Sequence, residues 1–259
     1  MPCNASGTIS LALAVTALSL SSIALGLPMW SSSSPLHDVA KDIPGMLQHI
    51  RFTVGVWGYC INADLTQEYN HITLDQCFSF YSSRDISNAL HINGTAVAAT
   101  LNNAAVDMIS THAAICDLPD LGSATATLTP LSPSEYTGFI SRSCGSLGKV
   151  TLAFAALSTA FGALTLLFLV LFITCCTTML CIASFSKCFA LLSIASSVVA
   201  LVGWITQAKD LTSASLGVSF AFEVAAAVLY VLTFVAIVYH EKNGKSSVDT
   251  EGKIGDPSP

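Results

Sequence analysis

Four long apolar runs with almost no charged residues are the feature that most constrains this chain. We predict membrane-spanning helices at residues 8–27, 147–174, 184–205 and 216–239. Each run is long enough to cross a hydrocarbon core about 30 Å thick, which takes about 20 helical residues. Only 10% of the residues are charged, compared with about 25% in soluble domains. The expected fold class is therefore a mostly α membrane protein with four spans, packed as a left-handed bundle through small residues.

The first run, Thr8–Leu27, has a competing interpretation as a secretory signal peptide, because the run lies at the N-terminus and small residues follow it. No Lys or Arg precedes the run, and it exceeds the apolar core of about 7–15 residues that is typical of signal peptides. These observations favour a retained span that ends at Pro28, with Trp30 as an interfacial aromatic.

The polar segment 28–146 is expected to form a loop domain outside the cell. Ten acidic and four basic residues make it acidic, which argues against nucleic acid as a partner. It contains the glycosylation acceptor Asn93-Gly94-Thr95 and four spaced cysteines, a combination typical of an oxidising compartment. Four cysteines allow three pairings; the short separation favours Cys60 with Cys77, which leaves Cys116 with Cys144.

This placement sets the topology of the whole chain. The slight excess of Lys and Arg on one side does not decide the orientation, so the cysteine chemistry does. Both termini are then cytosolic, in a multi-pass membrane protein. The remaining segments are a cytosolic N-terminus, a cytosolic loop, a short extracellular loop and a disordered cytosolic tail, at residues 1–7, 175–183, 206–215 and 240–259.

Local patterns inside the long loop predict a small sheet. Arg51–Cys60 alternates as a strand does, and Cys77 opens a second aromatic run, so we expect two strands joined by a disulfide. The alanine-rich stretch Ala96–Cys116 is expected to form a short extracellular helix. Three prolines after it predict an irregular return to the membrane: Pro119, Pro130 and Pro133.

The motif Gly55-Val56-Trp57-Gly58-Tyr59-Cys60, followed by Cys77, resembles the Gly-Leu-Trp-x-x-Cys…Cys signature of claudin-like four-span membrane proteins. The form of the motif and the opening of the last span, from Leu216, are more similar to the fungal PalI branch of plasma-membrane proteins tied to ambient-pH signalling. The long loop and the wide cysteine spacing argue against a paracellular barrier. The resemblance implies a claudin-like bundle that carries a disulfide-stapled extracellular sheet. It also implies that Trp57 anchors the sheet at the membrane rim. The competing interpretation is that Trp57 is a buried core aromatic.

Cysteines also cluster around the loop between the second and third predicted spans, at Cys175, Cys176, Cys181 and Cys188. In a reducing cytosol disulfides are not expected. Palmitoylation, above all of Cys175, Cys176 and Cys181, competes with a role as inert apolar residues. Metal binding is disfavoured because the spacing does not suit zinc, and we predict no metal and no cofactor.

Glu223 is a carboxylate inside a predicted span, where an ionised side chain costs at least about 2.5–3.5 kcal/mol. Its interpretations are a hydrogen bond to a neighbouring polar group, a role in proton or ion sensing, and an interfacial position. Histidine changes charge between pH 5 and 8, so a pH-responsive loop competes with ordinary surface histidines at His37, His49, His71, His91 and His112.

The chain shows no nucleotide loop, catalytic triad spacing or metalloprotease motif, so an enzyme is not expected. The resemblance implies a non-catalytic protein that assists a sensor or signalling complex, or organises membrane domains. Its expected partners are the lipid bilayer, other membrane proteins such as a multi-span sensor, and further copies of itself. The alternatives are a cell–cell or cell–wall adhesion protein and a small transporter or channel subunit that uses Glu223.

Overall fold

The computed structural model describes residues 5–33, 48–67, 70–82, 114–117, 131–174 and 180–252. Within these ranges it contains helices α1 to α5, at Ala5–Gly26, Pro133–Cys144, Ser146–Thr174, Leu180–Ala208 and Val218–Gly252. Strands β1 to β5 lie at Ser31–Ser33, Gln48–Val54, Gly58–Gln67, Asn70–Ser79 and Ala214–Leu216. A single 3-10 turn, Ile115–Asp117, completes the described elements.

Helices α1, α3, α4 and α5 are each long and apolar enough to cross a membrane. Large apolar side chains remain exposed along all four helices, for example Ile9, Leu167, Val202 and Val228. Serine and threonine side chains on the same helices are buried, such as Ser158, Thr165, Ser193 and Thr233. Faces of this kind suit contact with lipid, because water would not solvate them favourably.

The helix ends differ from the sequence-based limits mainly in α4 and α5. Helix α4 begins at Leu180 and ends at Ala208, so it is longer than predicted at both ends. Leu216 belongs to strand β5, and α5 begins only at Val218. The expectation of a disordered tail from residue 240 is wrong as far as Gly252, where α5 ends. Extending an existing helix costs far less free energy than nucleating one, which favours its continuation into a polar sequence.

The chain divides into two compact units. The first takes in the described parts of 1–23, 154–199 and 222–259, and its core contains small clusters in which α1 meets α5, in one of them together with α3. One cluster joins Ala14, Leu169 and Ile237, and another joins Ala17, Ala226 and Tyr230. Alanine lets helix backbones approach closely, which is the expected packing where lipid removes the hydrophobic drive between helices.

The second unit takes in the described parts of 24–153 and 200–221. Its centre is an antiparallel five-stranded sheet in the order β4-β3-β2-β1-β5. Strand β1 follows α1, and β5 comes just before α5, so the two short strands pair although about 180 residues separate them. The sheet therefore joins the segment that follows α1 to the segment that precedes α5.

The prediction of one continuous strand over Arg51–Cys60 is wrong, because the motif forms the turn of a hairpin. Strand β2 ends at Val54 and β3 begins at Gly58, and the Gly55 amide donates to the Gly58 carbonyl at 2.8 Å. A Cβ at Gly58 would overlap the Phe78 carbonyl oxygen of the neighbouring strand. The apparent alternation ran across a turn that the two glycines allow.

The irregular return predicted from the prolines is also wrong at its last part, where residues 133–144 form helix α2. Pro133 occupies the first turn of this helix, a position where a proline loses no hydrogen bond. Ser132 and Glu135 form a capping box, in which each side chain accepts from the other residue's backbone amide. Pro119 and Pro130 lie outside the described residues.

Both predicted disulfide pairs are present, Cys60–Cys77 and Cys116–Cys144. Cys60 and Cys77 lie directly opposite each other on β3 and β4. The second bridge joins the 3-10 turn to the last residue of α2. Most of the predicted helix Ala96–Cys116 lies outside the described residues, and Cys116 itself lies in the 3-10 turn.

Gly58→Ala is expected to destabilise the sheet. The added Cβ would overlap backbone rather than a movable side chain, and overpacking of this kind costs about 1–3 kcal/mol. Gly26→Ala is the matched control, because a Cβ there meets nothing within 4 Å. Thermal unfolding of the full chain in detergent should show a lower Tm for Gly58→Ala alone. Equal Tm values for the two variants would contradict the close approach of β3 and β4.

Candidate functional site

Trp30, which is completely buried at the start of the sheet, is the centre of a first aromatic cluster. Its indole N–H donates to the Ala24 carbonyl of α1 at 2.7 Å. Its ring lies 5.5 Å from that of Trp204 in α4 and 6.2 Å from that of Phe220 in α5, measured between centroids. One side chain thus contacts the ends of three long helices within the second unit.

Trp204 extends this contact to the sheet. It is also fully buried, and its indole N–H donates to the Ser31 hydroxyl of β1 at 3.1 Å. Its ring lies 6.2 Å from Phe139 of α2. Both buried indoles have a hydrogen-bond acceptor, so the large apolar area they bury is not offset by an unpaired polar group.

Tyr59, within the motif itself, is the centre of a second aromatic cluster. Its ring stacks on Phe78 across the sheet at 5.1 Å and lies 5.5 Å from Phe52 on β2. Tyr136 of α2 meets it edge-on and donates a hydrogen bond of 2.8 Å to its hydroxyl. This cluster packs α2 against the sheet at the level of the Cys60–Cys77 bridge.

Trp57, a residue of the motif, lies at the turn between β2 and β3. Its indole N–H donates to the Gly26 carbonyl at the end of α1, at 3.3 Å, and its side chain is only partly buried. The added Cβ of a residue at position 55 would meet Pro28 backbone. The turn therefore lies close to the end of α1 and to the residues that follow it.

A polar contact set holds α2 to the loop before β5. Glu135 accepts hydrogen bonds from the Thr212 and Ser213 side chains and from the Thr212 amide, in addition to its capping bond with Ser132. Partial burial acts to raise the pKa of Glu135, but these hydrogen bonds outweigh it and lower the pKa to about 2. An ion pair between Arg142 and Asp210 joins the same two segments.

The second disulfide lies beside a buried polar group. The Tyr81 hydroxyl donates to the Ser143 carbonyl, next to Cys144, and burial raises the pKa of Tyr81 to about 12. The Gln207 amide of α4 donates to the Ser143 hydroxyl at 2.7 Å. Tyr81 therefore stays a neutral donor at any physiological pH.

Glu223 lies in the first unit, in the second turn of α5, and is only 1% exposed. The Ser197 hydroxyl of α4 donates to its carboxyl oxygen at 2.7 Å. Ser197 in turn contacts Ser158 of α3 at 2.7 Å, and Ser158 contacts Ser21 of α1 at 3.4 Å. Side chains of four helices thus form one hydrogen-bonded chain, which includes the neighbouring polar group expected for Glu223.

Most of the other sequence-predicted sites lie outside the described part of the chain. Asn93, Cys175 and Cys176 lie outside the described residues, as do the side chain of Cys181 and those of the five loop histidines. Cys188 is a free, exposed thiol on α4. Among the described residues, no three His, Cys, Asp or Glu side chains come close enough to hold a metal ion.

Sequence reasoning missed Trp204 as a partner of the sheet and Glu135 as a cap. The Ser-Pro-Ser-Glu run at 132–135 is a capping-box signal that could have been found. The contact between Trp30 and Trp204 had no local signal, since 174 positions separate the two residues.

Neither the protein-family models nor the curated proteins contain a match to this chain.

Loss of the Cys60–Cys77 bridge should weaken the sheet. The double variant Cys60→Ser/Cys77→Ser is expected to lose about 2–4 kcal/mol of unfolding free energy, because the unfolded loop gains conformational freedom. Cys188→Ser is the control, since that thiol is free and exposed. Denaturant unfolding of the full chain in detergent measures both variants. Unchanged stability of the double variant would show that the bridge does not constrain this region.

Glu135 predicts a defined acid sensitivity. Its pKa is about 2 in the folded protein and about 4.5 ordinarily, so the carboxylate stabilises the fold above pH 4.5 and this contribution is lost as pH falls toward 2. The Tm of Glu135→Gln should therefore fall less over this range than that of the unmodified chain. Asp117→Asn, at an exposed carboxylate outside this hydrogen-bond set, should behave as the unmodified chain does. Parallel curves for Glu135→Gln and the unmodified chain would contradict the assignment.

Proposed function

We propose that this chain is a non-catalytic, multi-pass plasma-membrane protein of the claudin-like type, closest to the PalI branch. In this proposal it assists a multi-span sensor complex in the response to ambient pH, or organises the membrane domain around that complex. Segment 28–146 lies outside the cell and both termini are cytosolic. The basis for the family is the motif Gly55, Trp57, Cys60 and Cys77, together with the order of the four spans.

One observation carries the proposal: the motif belongs to a disulfide-bonded sheet whose strand β1 pairs with β5, next to the ends of two long helices. The Gly217 amide donates to the Trp30 carbonyl at 2.8 Å, and the Ser219 amide donates to the Met29 carbonyl at 3.0 Å. A sheet held by backbone hydrogen bonds in this way presents a fixed surface. Such a surface suits recognition by another membrane protein, which is the role that the proposal gives to the long loop.

The acidic character of the loop supports a partner with a basic outer face. Segment 28–146 carries ten acidic and four basic residues, and complementary charge mainly speeds association and excludes wrong partners. The same surface in a second copy of this chain would repel it. A hetero-complex with a sensor is therefore favoured over a homo-oligomer formed through this loop.

The test is a deletion strain of the cells that express this chain. We expect such cells to adapt poorly when the medium becomes alkaline, and the intact chain to restore adaptation. Cys188→Ser should also restore adaptation, whereas Cys60→Ser/Cys77→Ser should not, since it weakens the sheet. A C-terminal tag reports whether each variant reaches the plasma membrane in equal amount.

Normal alkaline adaptation of the deletion strain would contradict sensor assistance. If the same cells lose cell–cell or cell–wall contact instead, the adhesion alternative replaces the proposal. A tag that is accessible from outside intact cells would reverse the proposed topology. Crosslinking in intact cells tests for the partner directly. A multi-span protein should be recovered with the intact chain and lost with the Cys60→Ser/Cys77→Ser variant.

A further inference from the structure

The hydrogen-bonded side chains around Glu223 have two buried hydroxyls near them that could each form a further hydrogen bond. In the described residues, the Ser193 hydroxyl of α4 and the Tyr230 hydroxyl of α5 are buried and have no hydrogen-bond partner. Both side chains are 0% exposed. Buried polar groups are normally paired, so two unpaired hydroxyls in one helical core indicate a group that they would bind.

The two unpaired hydroxyls lie beside the Glu223 chain. Ser193 is four residues before Ser197, which puts both on the same face of α4, one turn apart. The Tyr230 hydroxyl lies against Gly162 of α3, so closely that a Cβ at Gly162 would overlap it. Gly162 is likewise one turn from Ser158. The unpaired hydroxyls of Ser193 and Tyr230 therefore lie next to the hydrogen-bonded side chains of Ser197 and Ser158.

The carboxyl of Glu223 has no neighbouring basic side chain in the described part of this unit. Lys187 is bound to Glu241 at 2.7 Å and lies ten residues from Ser197, about 15 Å along α4 at 1.5 Å per residue. His240 is 17 residues from Glu223 on α5, about 25 Å away along the helix. The groups that α1, α3 and α4 contribute to the cluster are hydroxyls: Ser21, Ser158, Thr159, Ser193 and Ser197.

A carboxylate with this surrounding needs a positive charge from elsewhere. Ionised groups at membrane depth are costly unless paired, and they mark ion pathways or proton relays. Hydroxyl and carboxyl oxygens are hard ligands that suit small hard cations. A hydroxyl can also rotate to donate or accept, so the same oxygens serve a proton or an alkali-metal ion.

We propose that Glu223, Ser197, Ser158 and Ser21, flanked by Tyr230 and Ser193, form an intramembrane binding site for one small monovalent cation. The shared chemistry is a single positive charge held on the Glu223 carboxyl, either a proton or an alkali-metal ion. Binding is reversible, and the cation is held on oxygen atoms. The site lies wholly within the first unit, so it stands independently of the role proposed for the long loop.

The experiment is infrared difference spectroscopy on the full chain in lipid nanodiscs, comparing the unmodified protein with Glu223→Gln. If a proton is bound, the difference contains a protonated carboxyl band that converts to carboxylate as pH rises. If an alkali ion is bound, it contains a carboxylate band that shifts when sodium is replaced by N-methylglucamine. Glu223 and Tyr230 are the titratable groups of the cluster, so Tyr230→Phe separates their contributions.

Ser197→Ala keeps the carboxyl and removes its donor, and it serves if Glu223→Gln fails to fold. It should shift the midpoint of the proton or ion titration about threefold to tenfold, the effect of one ordinary hydrogen bond. Ser19→Ala, an exposed serine that bonds within its own helix, is the matched control and should leave the midpoint unchanged. A Glu223 carboxylate band that responds to neither pH nor alkali ions would overturn the proposal. An unchanged midpoint in Ser197→Ala would exclude the hydrogen-bonded site as described.

Discussion

Backbone polar groups must be paired as soon as a helix ends, and this requirement explains the architecture of the second unit. The last carbonyls and first amides of any helix lack partners within it, and a membrane environment makes unpaired groups especially costly. Here the segment after α1 and the segment before α5 satisfy each other. Ser31–Ser33 pairs with Ala214–Leu216, and bonds from Gly217 and Ser219 continue the pairing toward α5.

The rest of the sheet extends from that pairing. Strand β1 is three residues long and would not be stable alone, but β2, β3 and β4 add to its other edge. The disulfide between Cys60 and Cys77 then links the last two strands. Two buried tryptophans, each with its N–H paired, fill the space between the sheet and the helix ends. Polar and apolar requirements are met by the same side chains.

The elements with a strong local signal were predictable. Four apolar runs marked the long helices, and sequence separation alone marked the Cys60–Cys77 pair, because a short loop closes at low entropic cost. The alternation in the motif region predicts β structure, but it predicts one strand where the chain forms a hairpin turn. Alternating side chains look the same across a tight turn, and the turn is marked by contacts that the alternation does not reveal, such as the hydrogen bond from the Gly55 amide to the Gly58 carbonyl and the close approach of Gly58 to Phe78. The apolar run predicts Leu216 as part of a span, although an apolar residue fits an edge strand equally well.

The parts that could not be predicted depend on distant residues meeting. Nothing near Trp204 indicates that it binds Ser31, and nothing near Glu223 indicates which serines surround it. Those contacts follow from the packing of helices, and packing leaves only a weak trace in one sequence. The polar core around Glu223 illustrates this, since the buried serines on α4 look no different in sequence from the exposed Ser184.

The most direct test of this account is a crosslink between the two short strands. Ser32 and Ser215 are directly opposed in the β1–β5 pair, so Ser32→Cys/Ser215→Cys should form a disulfide with high yield under mild oxidation. Peptide mapping of the full chain under non-reducing conditions detects it. We expect this bridge to form beside the native Cys60–Cys77 and Cys116–Cys144 bridges. Absence of the Ser32–Ser215 crosslink, with both native bridges intact, would contradict the pairing on which the sheet depends.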